Sequence, residues 1–189
     1  MTVQSTLCGA LVLAFFPTMA ATAAIVEQAS NGFTVGESAD ISAPPDRVYA
    51  ALLAPSRWWS SEHTYSHDAA NLSLDARAGG CWCETLPNGG SVQHLVVVNV
   101  VPGALLRLRG ALGPLQGMAV DGAMTFHIHA AGTGTELTMT YAVGGYSTDG
   151  FAAIAKAVDV VLGEQTARLK RLVETGKPGS PLQPANHGE

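Results

Sequence analysis

The chain has 189 residues, a net charge of −5 and 47% hydrophobic residues. That length fits one globular domain with short extensions, large enough to fold without a metal or a disulfide. The few Lys and Arg residues are scattered and form no electrostatic footprint for a nucleic acid, so we expect no nucleic-acid partner.

Residues 1–23 predict an export signal. The apolar run from Leu7 to Phe16 has signal-peptide length and is too short to cross a bilayer as a mature helix. Pro17 ends the run, and Ala21-Thr22-Ala23 supplies the small residues that a signal peptidase requires. We therefore expect cleavage after Ala23, a periplasmic or secreted protein, and no stable membrane insertion afterwards. An uncleaved anchor stays open as an alternative, because no Lys or Arg precedes the apolar run.

The mature chain is predicted to begin with a short lead over 24–32. Loosely alternating apolar residues between glycines then predict a strand from Phe33 to Ile41. Ser42-Ala-Pro-Pro-Asp46 is typical of a helix start, because proline suits the first turn and Asp favours the positive helix end. The helix that follows is predicted to end at Pro55.

The middle of the chain predicts an antiparallel sheet. A short helical turn begins at Arg57-Trp58-Trp59, and residues 63–74 form a loop and a short strand. Turn residues such as Pro87-Asn-Gly-Gly90 then separate successive β segments. The predicted strands cover 79–84, 91–101, 104–110, 118–130 and 135–144. No helical segment lies between them, which excludes a parallel α/β sheet.

One apolar stripe predicts a long helix from Phe151 to Thr175, capped by Gly176. The polar, Pro-rich segment 177–189 is predicted to be a disordered tail, so the folded domain spans 33–176. This order of elements predicts an α+β helix-grip fold, in which a curved antiparallel sheet wraps around the long C-terminal helix. Such a fold commonly leaves an apolar cavity between sheet and helix.

The candidate ligand contacts are mainly aromatic. Large flat apolar side chains suit the wall of a ligand cavity, although the three tryptophans would equally serve to lock the small helices onto the sheet. The candidate ligand-binding residues are Trp58, Trp59, Tyr65, Trp82, His94, Met118, Tyr141, Tyr146 and Phe151.

Glu84 and His94 are the candidate acid/base residues, and no other catalytic residue is assigned. Glu84 shares a strand face with Trp82, but we expect it on the outer face or at the rim, because unpaired carboxylates are seldom buried. His94 shares strand parity with Val96 and Val98, which predicts a buried side chain on the cavity side. Should Glu84 also turn inward, the two side chains would form a pair suited to proton transfer.

Cys81 and Cys83 leave two alternatives open. Extended spacing places their Cα atoms about 6.6 Å apart, at the long limit of disulfide geometry. A kink after Gly79-Gly80 would close a disulfide, and free thiols are the alternative. His127 and His129 alternate on the predicted solvent face of a strand, but no third ligand is assignable. We expect neither a metal site nor another cofactor.

These segments together resemble a known superfamily. The order Ala-Pro-Pro-Asp-Arg-Val-Tyr (43–49), Arg-Trp-Trp (57–59), Arg-Ala-Gly-Gly-Cys-Trp-Cys-Glu (77–84) and Leu-Gly-Glu-Gln-Thr (162–166) is similar to that of the SRPBCC (START-like) superfamily. Within it, the chain resembles polyketide cyclase/dehydrase-like proteins and homologues of the activator of the ninety-kilodalton heat-shock protein ATPase. Export would separate the protein from a cytosolic chaperone, so we take the second label as a family name only.

The resemblance implies a hydrophobic small-molecule ligand held between the sheet and the long helix. The first hypothesis is therefore an exported binding protein. The second is a cyclase-, dehydratase- or isomerase-like enzyme, with Glu84 or His94 as the acid/base group and Tyr65 or Tyr141 orienting a carbonyl. The third is a protein-interaction module with a collapsed cavity, and the sequence identifies no protein partner. An open cavity of several hundred cubic ångströms supports the first two, and titratable groups within hydrogen-bond reach favour the enzyme.

Overall fold

A computed structural model describes residues 24–179, and within them eight strands form one curved antiparallel sheet with a long helix packed on it. The strands are β1 (Ala24–Ala29), β2 (Gly32–Ile41), β3 (Leu72–Leu74), β4 (Cys81–Thr85), β5 (Ser91–Val101), β6 (Leu105–Arg109), β7 (Ala119–Ala131) and β8 (Gly134–Tyr146), and the helices are α1 (Pro45–Leu52) and α2 (Ala152–Thr175). The sheet order is β1-β2-β8-β7-β6-β5-β4-β3. The predicted α+β helix-grip fold is confirmed.

The start of the domain differs from the sequence prediction. Residues 24–32, predicted as a short lead, instead begin with β1, which pairs antiparallel with β2 from Ala24↔Gly36 to Ala29↔Gly32. The side chains of residues 25–29 are all exposed, so no alternation between buried and exposed residues marks this strand in the sequence. The predicted signal peptide (1–23) and most of the predicted tail lie outside the described residues.

Helix α2 supplies the layer that covers the sheet. It packs chiefly against β2, with further contacts to β1 and α1. Its buried apolar residues are Ala155, Leu162, Leu169, Leu172 and Val173, in agreement with most of the predicted stripe. Gly176 ends the helix as predicted, because its left-handed backbone (φ 81°) lets its N–H donate to the Leu172 carbonyl. In the described part of the chain no helix has both the length and the apolar character needed to span a membrane.

Candidate functional site

A cavity of about 470 Å³ opens between the sheet, α2 and two loops. Most of its wall is apolar, and its few polar groups come from the loop before β3 and from β5. The lining residues are Trp59, Glu62, His63, Thr64 and Tyr65 from the first loop, Leu72, Trp82 and His94 from the sheet, Leu112, Gly113 and Pro114 from the loop after β6, and Ile154, Ala157, Val158, Val161 and Leu162 from α2.

The first loop is fixed to α2 by hydrogen bonds to its backbone. Arg168 Nε donates to the Trp58 carbonyl at 2.8 Å, and the Ser60 N–H donates to Gln165 Oε1 at 2.8 Å. Both α2 side chains are buried. Because these bonds hold the loop backbone, the Trp59 ring is held in place on the cavity wall.

The three tryptophans form one cluster behind that wall. Their ring centroids lie 5.1–5.9 Å apart in edge-on arrangements, the favoured geometry for aromatic contacts. Trp59 and Trp82 line the cavity, whereas Trp58 lies behind them and donates its indole N–H to the Leu52 carbonyl. The cluster therefore both forms the wall and locks the loop onto the sheet.

Glu84 and His94 form a buried pair at the cavity. Glu84 Oε2 lies 2.9 Å from His94 Nε2, and the side chains are 0% and 7% exposed. The Glu84 carboxylate also accepts hydrogen bonds from the backbone N–H groups of Tyr65 and Ser66. The expectation that Glu84 lies on the outer face or at the rim is wrong, because three donors compensate the burial of its charge.

The hydrogen bonds decide the charge of this pair. Burial alone would raise the pKa of Glu84, but the donors from Ser66, Tyr65 and His94 hold that pKa below its usual value. Burial lowers the pKa of His94, and Glu84 counteracts the shift only in part. An ionised carboxylate accepts and cannot donate, so the neutral imidazole carries its proton on Nε2. His94 Nδ1 keeps a lone pair and has no hydrogen-bond partner among residues 24–179.

A β-bulge turns His94 into the cavity. Trp82 pairs with Leu95 and Cys83 with Gln93, so His94 is an extra residue between them. His94 is buried, as predicted, but the reason given by strand parity is wrong. After the bulge Leu95 points inward, and a second register shift follows between Val97 and Asn99.

Val98 does not lie on the inner face that was predicted for it. It was expected to share a buried face with His94, yet it is 44% exposed. The second shift skips Val98 in the pairing with β6, which breaks the alternation along β5. Sequence parity therefore fails at both bulges.

The two tyrosines proposed to orient a carbonyl are already engaged. Tyr65 lines the cavity with its ring 5.9 Å from that of His94, but its hydroxyl donates to the Gly113 carbonyl at 2.8 Å. Tyr141 is fully buried and does not line the cavity, and its hydroxyl donates to the Gly110 carbonyl and accepts from the Leu112 N–H. Tyr65 is thus a wall residue, and Tyr141 supports the loop after β6.

Three other predicted contacts lie outside the cavity lining. Phe151 is buried against Phe33, with ring centroids 6.0 Å apart, where it precedes α2. Tyr146 is 69% exposed at the end of β8, and Met118 packs against the core just before β7. Aromatic or large apolar character marked these residues in the sequence, but it does not reveal which part of the core encloses the empty volume.

A second polar pair, which was not predicted from the sequence, has one member on the cavity wall. His63 lines the cavity, and its Nε2 lies 3.5 Å from Oε2 of the buried Glu164 on α2. The aliphatic wall from α2 was also not assigned to the site, although its spacing in the predicted stripe, which includes Ile154, Val158 and Val161, marks one helix face.

Glu37 is a buried carboxyl outside the cavity lining. It is 3% exposed on the inner face of β2, and neither of its oxygens has a hydrogen-bond partner among the described residues. Burial, together with the nearby Asp159 on α2, raises its pKa from 4.5 to about 8. Glu37 is therefore mainly protonated at pH 7. Glu37 was not assigned to a face from the sequence, although its alternation with Val35 and Ala39 is the signal that could have placed it on the inner face of the strand.

The cysteines form a disulfide, and the histidines on β7 stay apart from the cavity. Cys81 and Cys83 are bonded across a Cα separation of 5.3 Å. His127 and His129 stack with ring centroids 5.8 Å apart. Over residues 24–179, no three His, Cys, Asp or Glu side chains form a group that could hold a metal ion.

Comparison with known proteins identifies similarity over most of the chain. A family model described as polyketide cyclase / dehydrase and lipid transport matches residues 32–174. Among solved structures, a conserved protein of unknown function from Enterococcus faecalis is 18% identical, with a TM-score of 0.55 and coverage of 86% of this chain and 81% of that one. CalU16 from Micromonospora echinospora is 17% identical, with a TM-score of 0.55 and coverage of 84% and 88%.

The Aha1 dimer from Colwellia psychrerythraea is similar to the same extent. It is 18% identical, with a TM-score of 0.55, and the alignment covers 76% of this chain and 98% of that one. No curated protein is significantly similar in sequence. At these identities the solved structures share the fold, and their own activities do not transfer to this chain.

Proposed function

Because this chain belongs to the polyketide cyclase/dehydrase and lipid transport family, with a START-like fold, we propose that it binds a hydrophobic small molecule between the sheet and α2. The observation that carries this proposal is the open cavity of about 470 Å³, walled by Trp59, Trp82 and the aliphatic side chains of α2. Small-molecule sites typically enclose about 300–1,000 Å³ with mainly apolar walls and a few polar groups. An open volume of this size argues against a module whose cavity has collapsed.

The Glu84–His94 pair indicates which polar group the proposed ligand carries. The lone pair on His94 Nδ1 accepts a hydrogen bond, so a ligand hydroxyl suits this position. The ionised Glu84 carboxylate nearby disfavours a second negative charge. We therefore infer an uncharged ligand with an apolar body and a hydroxyl group at one end.

A fluorescent apolar probe tests whether the cavity binds ligands. We expect saturable binding of the uncharged probe N-phenyl-1-naphthylamine to the purified protein. Ala157→Trp places a large ring at the cavity and should weaken that binding about tenfold or more. Ala153→Trp is the matched control, because Ala153 is exposed on the same helix and does not line the cavity. Equal affinities for both variants would count against binding in this cavity.

Native mass spectrometry then identifies the natural ligand. Protein purified from its own host should carry an additional mass that Ala157→Trp loses and Ala153→Trp retains. A co-purifying compound that is strongly anionic, or that has no hydroxyl group, would contradict the ligand class inferred from His94.

Acid/base catalysis is the second candidate function, and the Glu84–His94 geometry favours it. A neutral imidazole, held by an ionised carboxylate through Nε2 and with Nδ1 free, is the arrangement that general bases use. In this reading His94 Nδ1 takes a proton from the bound substrate, and Glu84 orients the ring. The reaction would be a proton transfer within the bound molecule, as in an isomerisation, dehydration or cyclisation.

Hydrogen exchange separates the enzyme from the carrier. The co-purified compound is incubated with the protein in deuterium oxide and analysed for deuterium at carbon by mass spectrometry. An enzyme should exchange a carbon-bound proton, His94→Gln should abolish that exchange, and His127→Gln should leave it unchanged. Binding without exchange in the wild-type protein would contradict the enzyme and leave the carrier as the remaining function.

We also propose that the protein is exported, on the basis of the apolar run from Leu7 to Phe16 and the small residues at 21–23. Expressed in a bacterial host, the protein should appear in the periplasm with an N-terminus near Ala24. Soluble cytoplasmic protein that keeps Met1 would contradict export.

A further inference from the structure

The Cys81–Cys83 disulfide joins two residues of one strand that are separated by a single position. Their Cα atoms are 5.3 Å apart, whereas extended β4 would place them roughly 6.6 Å apart. The cross-link therefore holds this part of β4 about 1.3 Å shorter than an ordinary strand.

The shortened segment carries one wall of the cavity. Cys81 and Cys83 are half-buried, while Trp82 and Glu84 alternate with them and point into the core. Cys83 also borders the β-bulge on β5, where Gln93 is its partner and His94 is the unpaired residue. The disulfide thus lies in the strand that carries Glu84, and the neighbouring strand carries His94.

A strand extension of this size is enough to separate that pair. The Glu84–His94 hydrogen bond is 2.9 Å long, and a separation of about 3.6 Å no longer counts as a hydrogen bond. Glu84 is also tied to the backbone N–H groups of Tyr65 and Ser66. Because two backbone donors hold the carboxylate on the loop side, the His94 contact is the one expected to break.

We propose that the Cys81–Cys83 disulfide is a thiol–disulfide exchange site that controls whether Glu84 holds His94 in the cavity. The disulfide keeps β4 short and the pair intact. The dithiol form lets β4 extend, and His94 then loses the group that fixes its ring and its protonated nitrogen. The consequence for the bound molecule rests on the proposed function, whereas the effect on His94 does not.

The reductant that this chemistry requires is a dithiol. Its thiolate attacks the Sγ of one cysteine, the Cys81–Cys83 bond breaks, and the other cysteine leaves as a thiolate. The second thiol of the reductant then attacks the mixed disulfide. The reductant ends as a disulfide, and two electrons and two protons have passed to Cys81 and Cys83. Neither cysteine is fully buried, which gives a small dithiol access to the bond.

Histidine NMR tests the effect on the site directly. Protein labelled with ¹⁵N-histidine is compared before and after treatment with dithiothreitol, and free-thiol counting verifies the reduction. We expect the His94 signals to shift and the His94 pKa to fall on reduction, because burial lowers that pKa and Glu84 counteracts the shift. The stacked His127 and His129 on β7 serve as internal controls with unchanged signals.

A double variant provides the matched control. Cys81→Ser combined with Cys83→Ser should reproduce the His94 signals of the reduced protein and should not respond to dithiothreitol. A disulfide that resists the dithiol, or a His94 pKa that is the same in both redox states, would overturn the proposal.

Probe binding keeps this inference distinct from the proposed function. Affinity for N-phenyl-1-naphthylamine should differ between the oxidised and reduced proteins. If neither form binds the probe, the binding function fails, and the histidine signals still decide the role of the disulfide.

Discussion

Glu84 and Glu37 are both buried on the inner face of the same sheet, yet at pH 7 the first is ionised and the second is mainly protonated. Three hydrogen-bond donors surround Glu84, and its pKa is lowered despite burial. Neither oxygen of Glu37 meets a donor among the described residues, the acidic Asp159 is close, and its pKa rises to about 8. The exposed fractions are similar, 1% for Glu84 and 3% for Glu37, and the donors around Glu84 are what keep its carboxyl charged despite burial.

The two carboxyls also differ in their position relative to the cavity. The Glu84 donors come from the loop before β3 and from the bulge in β5, and both belong to the cavity wall. Glu37 lies on β2, which α2 covers, and it lines no part of the cavity. The charged carboxylate of Glu84 therefore lies at the proposed ligand site, whereas Glu37 is a protonated acid between β2 and α2.

The largest expected effect is on stability. Glu84→Gln should lower the free energy of unfolding by about 3 kcal/mol at pH 7, because a neutral amide is a weaker acceptor for the three donors than the buried, ionised carboxylate. Glu37→Gln should change it by less than about 1 kcal/mol, because one neutral group without partners replaces another. Urea unfolding followed by tryptophan fluorescence measures both. Equal losses for the two variants would contradict the comparison.

The pH dependence of stability should differ in sign between the two residues. Glu37 holds its proton more tightly in the folded protein, so its contribution is complete below pH 4.5 and is lost as the pH rises to about 8. Glu84 holds its proton less tightly when folded, so its contribution is present above its ordinary pKa and is lost as the pH falls through the lowered one.

Difference curves isolate these two contributions. The free energy of unfolding of the wild type minus that of Glu37→Gln should decrease as the pH rises from 4.5 to 8. The free energy of unfolding of the wild type minus that of Glu84→Gln should decrease only as the pH falls into the acid range. Other titrating groups cancel because both curves share them. A flat Glu37 difference curve would show that burial does not retain its proton.

His94 provides a third, smaller measure of the Glu84 environment. Burial places the His94 pKa below its usual value, and Glu84 limits that decrease. Glu84→Gln should therefore lower the His94 pKa further, as measured by NMR titration, while Glu37→Gln should leave it unchanged. A rise in the His94 pKa in Glu84→Gln would mean that the imidazole does not depend on this carboxylate for its charge state.

The smallest expected effect concerns Asp159. Burial is the main cause of the raised Glu37 pKa, and the negative charge of Asp159 adds to it. Asp159→Asn should lower the Glu37 pKa slightly while leaving it above 4.5, as seen in a ¹³C carboxyl NMR titration. Asp149→Asn, in the exposed loop before α2, is the control and should have no effect. A return of Glu37 to its ordinary pKa would show that charge repulsion outweighs burial.

The fold class and the order of elements from β2 onwards could be predicted from the amino-acid sequence. The strand from Ser91 to Val101, the end of α1 before Pro55 and the Gly176 cap all agree with the structure. Such features depend on neighbours within a few residues, and proline, glycine and alternating side chains report them locally. The same local rules missed β1, because its exposed side chains carry no such pattern and only its pairing with β2 makes it a strand.

Which residues form the site depends on contacts between distant parts of the chain. Glu84 is charged inside the core because donors 18 and 19 positions away converge on it. His94 enters the cavity through a bulge that reverses the parity of β5, and Tyr141, which also faces the interior, meets the loop after β6 instead of the empty volume. Burial of a polar group depends on partners brought together by the whole fold, and periodicity along one strand does not contain that information.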